Sequence, residues 1–361
     1  MKTMEMMHRR TLLKSAFAAG GALSFLSPAQ LLAAVAEDPR LANVHPEYRA
    51  FAKQMLAQLD KQKDGPMSMQ TLPKSRAMMK QFASPRRDDV PVEKRVIPGM
   101  KGQPDVTVFL INAGKEGQRP AIVHTHGGGF VSGTAEGFVR NVQDLCKELD
   151  CAAVSVEYRL APETTYAGSI EDNYAALKWV HGNAAQLGVD PRRIAVMGES
   201  AGGGHAALLA ITARDRGEVP VAFQCLIYPM LDDRTGTTRA VPPHIAPFMW
   251  GRGDNRFGWQ SFLGMEPGTS KVPVRAVPAR QTNLRGLPPA FIGVGSIDLF
   301  LDEDIEYARR LNDAGVTAEL LVVPGCFHGF DSMPVKTRVG TWFNEAKVNA
   351  LRLGLGISTN G

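Results

Sequence analysis

The sequence predicts an α/β fold, in which a mostly parallel sheet is covered by helices on both of its faces. The main evidence is that short apolar runs alternate with helix-like stretches over most of the 361 residues. The composition agrees, because 44% hydrophobic and 21% charged residues are typical of a globular protein and exclude a disordered chain. Strands are predicted at residues 92–97, 105–111, 121–125, 152–156, 193–197, 221–227, 289–294 and 318–323. Helices are predicted at residues 135–149, 169–185, 201–214, 302–314 and 337–353.

The first 36 residues predict an export signal. The motif HRRTLLK at 8–14 precedes an apolar run at 15–26 and a small-residue stretch that ends at Ala36. This order of charged, apolar and A-x-A segments is typical of a cleavable signal peptide, and the paired Arg9 and Arg10 resemble the twin-arginine type. An uncleaved membrane anchor is the alternative, which the short, glycine-interrupted apolar run disfavours. We therefore expect a periplasmic or secreted protein with no stable membrane insertion after cleavage.

Two segments differ from the alternating pattern. Apolar side chains recur every three or four residues from about residue 46 to 61 and predict a helix there, with Tyr48, Phe51, Met55 and Leu59 on one face. Residues 62–91 are predicted to be irregular, and the methionines within 67–79 either line an adaptable pocket or fill gaps in packing. Residues 232–287 are rich in Pro, Gly and Arg, and so long an insert is more often a lid or binding element than a simple loop.

The charge balance and the cysteines exclude several classes of protein. The formal charge of +5 falls to +2 without residues 1–36, which carry four basic residues and one acidic residue, and no basic cluster remains. A nucleic-acid partner is therefore not expected. The 4 cysteines show neither zinc-ligand spacing nor the density of a disulfide scaffold. Cys146 and Cys151 could pair outside the cytoplasm, although free buried thiols are the default expectation.

The pentapeptide GESAG at 198–202 is the first candidate for chemistry. It follows a predicted strand and precedes a predicted helix, which is the context in which a G-x-S-x-G turn exposes a nucleophilic serine, here Ser200. The small residues on either side allow the strained backbone to approach its neighbours closely. The alternative is an ordinary glycine-rich turn between a strand and a helix.

A second candidate, which we call the glycine loop, is the sequence HGGGF at 126–130. It follows the predicted strand at 121–125 and resembles the HGGG-type loop, whose free N–H groups stabilise a developing negative charge. The alternative is a flexible turn. Its position two strands before the serine favours the first interpretation.

A serine nucleophile needs a base and an acid, and in such a sheet they follow it in the order acid, then histidine. Asp298 and His328 each follow a predicted strand, at the sheet edge where open α/β folds bind ligands. Asp302 is the competing acid, but it opens the helix predicted at 302–314 and is interpreted as its N-cap. The alternative bases are His124, His126, His181, His205 and His244. His124, His181 and His205 fall within predicted strands or helices, which favours core or surface roles for them.

Together, five segments resemble the hormone-sensitive-lipase-like bacterial (family IV) esterases of the α/β-hydrolase superfamily. They are HGGGF at 126–130, EYRLAPE at 157–163, GESAGG at 198–203, Tyr307-Ala308 with AGV at 314–316, and HGF at 328–330. The resemblance covers about residues 90–350. It implies an eight-stranded α/β-hydrolase core within a catalytic domain at 91–361, and a helical cap formed by residues 37–90 and the insert at about 232–287.

The resemblance also implies roles for particular residues. The nucleophile, acid and general base are Ser200, Asp298 and His328. The oxyanion N–H groups come from Gly128, Gly129 and Ala201. His126 orients the glycine loop, which Tyr158 and Arg159 brace.

The activity that this resemblance implies is hydrolysis of short- to medium-chain acyl esters, acetyl esters among them. An amidase or a lactonase with the same triad is one alternative, and a non-catalytic binding protein of this fold is another. The expected partner is a small-molecule ester. No cofactor or metal is expected, and both a monomer and a homodimer remain open.

Overall fold

A computed structural model describes residues 38–61, 65–81 and 83–358 of the chain. Contacts divide the chain into a first unit at 1–42 and a second at 43–361. In the first unit only residues 38–42 are described, with a short 3₁₀ helix at Pro39–Leu41. The predicted signal peptide at 1–36 lies outside the described residues.

The second unit contains one eight-stranded sheet. Its strands are β1 (Val92–Ile97), β2 (Val106–Ile111), β3 (Arg119–Thr125), β4 (Ala152–Glu157), β5 (Val189–Glu199), β6 (Phe223–Ile227), β7 (Ala290–Gly295) and β8 (Ala318–Val323). They lie in the order β1-β2-β4-β3-β5-β6-β7-β8. The β1–β2 and β2–β4 pairs are antiparallel, and every later pair is parallel. The prediction of a mostly parallel eight-stranded sheet is confirmed.

Nine α-helices surround the sheet in the described residues. They are α1 (Arg49–Leu59), α2 (Leu72–Gln81), α3 (Ala135–Leu149), α4 (Tyr166–Gly182), α5 (Ala184–Leu187), α6 (Ala201–Arg216), α7 (Arg252–Leu263), α8 (Leu301–Asp313) and α9 (Arg338–Gly354). Short 3₁₀ helices in this unit lie at Pro46–Tyr48, Val274–Ala276, Pro278–Arg280 and Phe330–Ser332. The central strands are buried on both faces, as a parallel sheet between two helical layers requires.

Close packing explains why α6 can lie directly against the sheet. Nearly all of this helix is buried, and its first turn contains Gly202, Gly203 and Gly204. A Cβ atom on Gly203 would lie 2.8 Å from the Cβ of Pro229, so a larger residue would push the helix away. The glycines therefore place the start of α6 close to the carboxyl ends of β5 and β6.

The prediction that residues 62–91 are irregular is wrong, because α2 spans Leu72–Gln81 within them. Its proline, Pro73, lies in the first helical turn, where the missing N–H costs nothing, so it begins the helix rather than breaking it. Thr71 precedes the helix and exchanges hydrogen bonds with Ser68, including one of 2.9 Å from the Ser68 N–H to the Thr71 hydroxyl. The helix α7 within the 232–287 insert agrees with the helical cap that the resemblance implies, although the residue pattern did not predict its position.

The N-terminal segment and the insert contact each other. The N–H of Met67 donates to the Asp254 carboxylate on α7 at 2.7 Å, and a Cβ on Gly253 would lie 2.6 Å from the ring of Pro66. Leu72 is buried in the same apolar cluster as Trp259 of α7. The two segments are therefore in direct contact, and their role as one cap stays a prediction.

Among the described helices, none has both the length and the apolar character needed to cross a membrane.

Candidate active site

Ser200 lies in the turn between β5 and α6 with a strained backbone. Its φ of 59° and ψ of −125° place a residue with a side chain in a region that costs about 1–3 kcal/mol. The neighbouring backbone leaves no room for side chains at Gly198 or Gly202. A Cβ on Gly202 would lie 2.0 Å from the carbonyl oxygen of Thr125, and one on Gly198 would lie 2.4 Å from the Gly202 carbonyl.

Three backbone hydrogen bonds fix this turn. The N–H of Ser200 donates to the carbonyl of Ile227, the last residue of β6, at 2.9 Å. The carbonyl of Ser200 accepts from the N–H groups of Met230 at 2.9 Å and Gly204 at 3.0 Å. The main chain of Ser200 is thus fully bonded, which sets the direction of the hydroxyl.

The structure brings together the three residues expected to form a triad. The Nε2 atom of His328 lies 2.9 Å from the Ser200 Oγ, and its Nδ1 atom lies 2.9 Å from the Oδ2 of Asp298. Asp298 is completely buried, and its other oxygen accepts the N–H of Phe300 at 3.0 Å. A buried carboxylate at Nδ1 favours the tautomer in which Nδ1 carries the proton and Nε2 accepts from the serine.

The interpretation of Asp302 as an N-cap is wrong. The helix α8 begins at Leu301 and its N-cap residue is Phe300, so Asp302 lies in the first turn. The N-cap residue Phe300 donates its own N–H to the Asp298 carboxylate, and no side chain among the described residues caps the helix. An acid in a first turn is still favourable, because the helix dipole is positive there.

Four residues that the sequence did not single out surround or support His328. The rings of Tyr228 and Phe300 stand edge-on to its imidazole, with centroids 4.8 and 5.1 Å away. The Tyr228 hydroxyl donates to Asp331 at 2.8 Å, and Lys347 lies 3.3 Å from the same carboxylate. Burial, together with the charge of Asp331, raises the pKa of Tyr228 well above its usual value.

The glycine loop contains two N–H groups with no acceptor among the described residues. Gly128 and Gly129 have φ values of 134° and 63°, which favour glycine strongly. The Gly128 carbonyl accepts from the N–H groups of Val131 and Ser132, at 3.2 and 2.9 Å, which closes the turn. Within the described residues neither glycine N–H donates a hydrogen bond. Ala201 is the first residue of α6, so its N–H also has no acceptor within the helix.

His126 anchors the base of the glycine loop. Its ring stacks on Tyr158 at 4.2 Å, and the Tyr158 hydroxyl donates to the His126 carbonyl at 2.6 Å. Burial lowers the pKa of His126 to about 4, so its ring is neutral at neutral pH and its Nδ1–H can donate to the Gly127 carbonyl, 3.0 Å away. Arg159, the other predicted brace, instead binds Asp172 on α4 through two side-chain nitrogens.

The other candidate bases do not reach the serine. His124 is buried on β3 and lies 2.8 Å from the Ser155 hydroxyl and 3.0 Å from the carboxylate of Glu199. Burial acts to raise the pKa of Glu199, but the charge and hydrogen bond of His124 outweigh it and lower that pKa. Burial lowers the pKa of His205 to about 3. His181 is half-buried on α4 and His244 is exposed in the insert.

The 232–287 insert crosses this site with residues 246–250. The N–H of Ala246 donates to the carbonyl of Ile297, next to the triad acid, at 2.9 Å. At the other end, a Cβ on Gly129 would lie 2.1 Å from the ring of Trp250, so the indole packs directly on the glycine loop. The segment therefore contacts the acid side and the oxyanion side of the site.

Over residues 38–61, 65–81 and 83–358, no group of three or more His, Cys, Asp or Glu side chains is arranged to hold a metal ion.

Comparison with known proteins agrees with this geometry. Residues 122–332 match the model of a family with the alpha/beta hydrolase fold. Carboxylesterase NlhH of Mycobacterium tuberculosis is 35% identical over 265 residues, which is 71% of this chain and 81% of that protein. The structure titled bacterial heroin esterase superposes with a TM-score of 0.78 at 37% identity, covering 87% of this chain and 99% of that one. The hyperthermophilic esterase of Pyrobaculum calidifontis superposes with a TM-score of 0.71 at 31% identity. This match covers 86% of the present chain and 99% of that one.

The sheet order, the serine turn and these matches all lead to one assignment. The chain belongs to the hormone-sensitive-lipase-like family of esterases, within the α/β-hydrolase superfamily.

Proposed function

We propose that this chain is a serine carboxylesterase that hydrolyses short- to medium-chain acyl esters through an acyl-enzyme on Ser200. The observation that carries the proposal is the hydrogen-bonded series from Ser200 through His328 to Asp298, with 2.9 Å at each contact. Ester hydrolysis is also the reaction named for the M. tuberculosis relatives NlhH and LipI, and a relative from Pseudomonas putida is named ethyl acetate hydrolase.

The first half of the reaction forms the acyl-enzyme. His328 Nε2 takes the proton of Ser200 as its Oγ attacks the ester carbonyl, and Asp298 stabilises the imidazolium that results. The carbonyl oxygen becomes an oxyanion, which accepts hydrogen bonds from the N–H groups of Gly128, Gly129 and Ala201. Each such donor contributes about 3 kcal/mol to stabilising the transition state.

The alcohol leaves as the acyl-enzyme forms, and water then releases the acid. The tetrahedral intermediate collapses, and the alcohol leaves with the proton held on His328 Nε2. A water molecule then gives a proton to Nε2 and attacks the acyl carbonyl, and the same donors stabilise the second oxyanion. Collapse returns the proton to Ser200 and releases the carboxylic acid.

The insert supports the proposed size of substrate. Trp250 packs on Gly129, so a bulky indole borders the space beside the reacting carbonyl. Met249 lies near the triad histidine, with its methyl group 4.0 Å from where a Cβ on Gly329, the residue after His328, would stand. Two large side chains this close to the reacting groups favour short acyl chains over long ones. Because Met67 is bonded to Asp254 and Leu72 packs in one cluster with Trp259, we propose that residues 37–90 and 232–287 act together as the cap.

Turnover of p-nitrophenyl esters from acetate to laurate tests the proposal. The wild type is expected to hydrolyse the short chains, and Ser200→Ala is expected to fall to background. Ser169→Ala is the matched control, because it removes another buried hydroxyl, on α4, and leaves the triad intact. An inactive wild type, or an active Ser200→Ala variant, would contradict the proposal, and p-nitroanilides and lactones would then be assayed.

We also propose that residues 1–36 direct export by the twin-arginine route. The support is the paired Arg9 and Arg10 before an apolar run. Fractionation of cells that express the full chain is expected to find the shortened protein outside the cytoplasm. Replacement of both arginines by lysine, which preserves the charge, is expected to leave the full-length precursor in the cytoplasm. Equal export of the two forms would contradict this route.

A further inference from the structure

One arginine of the N-terminal segment binds two backbone carbonyls beside the glycine loop. Arg76 lies on α2, and its Nε donates to the carbonyl of Val131 at 2.7 Å. Its Nη2 donates to the carbonyl of Ala161 at 3.0 Å. The same guanidinium makes bonds of 2.6 and 2.7 Å to the two carboxylate oxygens of Glu163. A single planar group therefore joins α2 to two separate segments of the hydrolase core.

Both of these carbonyls belong to residues that hold the glycine loop directly. The N–H of Val131 donates to the carbonyl of Gly128 at 3.2 Å. The N–H of Ala161 donates to the carbonyl of Phe130 at 3.0 Å. Gly129 lies between Gly128 and Phe130, whose carbonyls accept these two hydrogen bonds. The arginine thus acts on the glycine loop through two intermediaries, because Val131 is bonded to Gly128 and Ala161 is bonded to Phe130.

Charge keeps the guanidinium in place. Side-chain hydrogen bonds from Arg76 lower the pKa of Glu163 to about 2, and Glu163 in turn raises the pKa of Arg76. Both groups are therefore charged wherever ester hydrolysis is assayed. A guanidinium can bind a carboxylate with one edge and carbonyl oxygens with another, which the compact ammonium of lysine cannot reproduce.

We propose that Arg76 is a positioning residue for the oxyanion donors of the proposed esterase. It holds the glycine loop in the orientation in which the N–H groups of Gly128 and Gly129 face the developing oxyanion. A loop released from this contact still leaves room for the acyl chain and the alcohol to bind, but it stabilises the transition state less. The loss therefore falls on kcat rather than on KM.

The test compares Arg76→Met and Arg76→Lys with a control at Arg216. Arg216 makes a similar two-bond pair with Glu171, at 2.5 and 3.1 Å, and its side chain is 29% exposed against 27% for Arg76. It lies at the opposite end of α6 from Ser200, which puts it about 24 Å away along a helix of 16 residues. Arg216→Met therefore removes a comparable ion pair without touching the glycine loop.

Three measurements separate positioning from a general loss of structure. Titration with a p-nitrophenyl phosphonate counts the active sites, steady-state hydrolysis of p-nitrophenyl acetate gives kcat and KM per site, and a trifluoromethyl ketone reports oxyanion binding through its hemiketal with serine. We expect Arg76→Met to lower kcat per site about tenfold or more, with KM within about twofold. Binding of the ketone is expected to weaken by a similar factor. Arg76→Lys is expected to fall between this variant and the wild type, and Arg216→Met to match the wild type.

Equal kcat per site for Arg76→Met and Arg216→Met would overturn the inference. The inference would also be overturned if a smaller number of titratable active sites fully explained the loss of activity and binding of the ketone were unchanged. If Arg76→Met does not fold, Glu163→Gln decides by the same criteria, because it keeps the arginine and removes the charge that orients it. An inactive wild type would instead refute the proposed function, so the two failures are distinguishable.

Discussion

Replacement of Asp298 by asparagine changes one atom of the triad and is expected to reverse the protonation of the histidine. In the wild type one carboxylate oxygen accepts the Phe300 N–H at 3.0 Å, and the other lies 2.9 Å from His328 Nδ1. The asparagine oxygen keeps the position facing the Phe300 N–H, because an amide NH₂ there would face another donor. The NH₂ group then faces His328 Nδ1 and can only donate to it.

This arrangement moves the ring proton to Nε2, the atom that must take the serine proton. The expected loss in kcat for Asp298→Asn is about 10³- to 10⁴-fold, which corresponds to about 4–5.5 kcal/mol of transition-state stabilisation. The triad distances and the thermal midpoint are expected to change little, because the amide has the shape of the carboxylate.

The assay is p-nitrophenyl acetate hydrolysis at neutral pH, corrected for the number of sites that a phosphonate titrates. Asp302→Asn is the matched control, because Asp302 is exposed in the first turn of α8 and is bonded to neither Ser200 nor His328. It is expected to keep activity within about twofold of the wild type. An Asp298→Asn variant within about tenfold of the wild type would refute the tautomer argument.

Three further predictions concern the glycine loop, the insert and the buried histidines. Gly129→Ala is expected to lower kcat/KM more than about 100-fold, because its Cβ would lie 2.1 Å from the ring of Trp250 at a φ of 63°. Gly114→Ala is the control, because Gly114 also has a positive φ but lies in open space. Equal activities of the two variants would contradict the argument. Trp250→Ala is expected to move the preferred p-nitrophenyl ester toward longer acyl chains, and an unchanged preference would show that the indole does not border the acyl chain. Burial lowers the pKa of His205 to about 3, so the unfolded chain gains a proton below about pH 6.5 that the folded protein does not bind. As the pH falls from about 6 to about 4, this histidine is expected to lower the unfolding free energy by about 1.4 kcal/mol per pH unit. Urea titrations at several pH values would give the unfolding free energy of the wild type and of His205→Leu, and its dependence on pH is expected to be weaker in the variant. The same dependence on pH in both proteins would contradict this.

The strands could be predicted from the sequence because each is an apolar run between turn residues. β1 and β8 have the predicted bounds, and the others differ mainly at their ends. β5 shows the largest difference, because it begins at Val189 rather than at residue 193. The residues that follow Val189, Asp190-Pro-Arg-Arg, do not resemble a buried strand, because three of the four are charged.

The motifs around Ser200 and in the glycine loop could be predicted because the local backbone geometry there requires particular residue types. Gly202 has no room for a side chain beside Thr125, and Gly128 needs a positive φ. Such requirements leave a signature in the sequence itself. The missed helix α2 shows the opposite case, since a proline in the first turn is also consistent with a loop.

Long-range polar contacts left no comparable signature. Arg76 is 55 residues from Val131 and 87 from Glu163, and Tyr228 is 103 residues from Asp331. Each of these side chains is one of many of its type, and only the folded chain selects its partner. The support of the glycine loop by Arg76 and the contact of Tyr228 with Asp331 are therefore known from the structure alone.

Covalent labelling tests the central claim most directly, because the account requires one particular serine to carry the acyl group. The protein would be incubated with one equivalent of a p-nitrophenyl phosphonate, assayed for ester hydrolysis, and digested for mass spectrometry. The expected result is a single adduct on Ser200, with activity lost in proportion to labelling, and no adduct on the Ser200→Ala variant. Full labelling of Ser200 with activity retained, or loss of activity with the adduct on another residue, would contradict the claim.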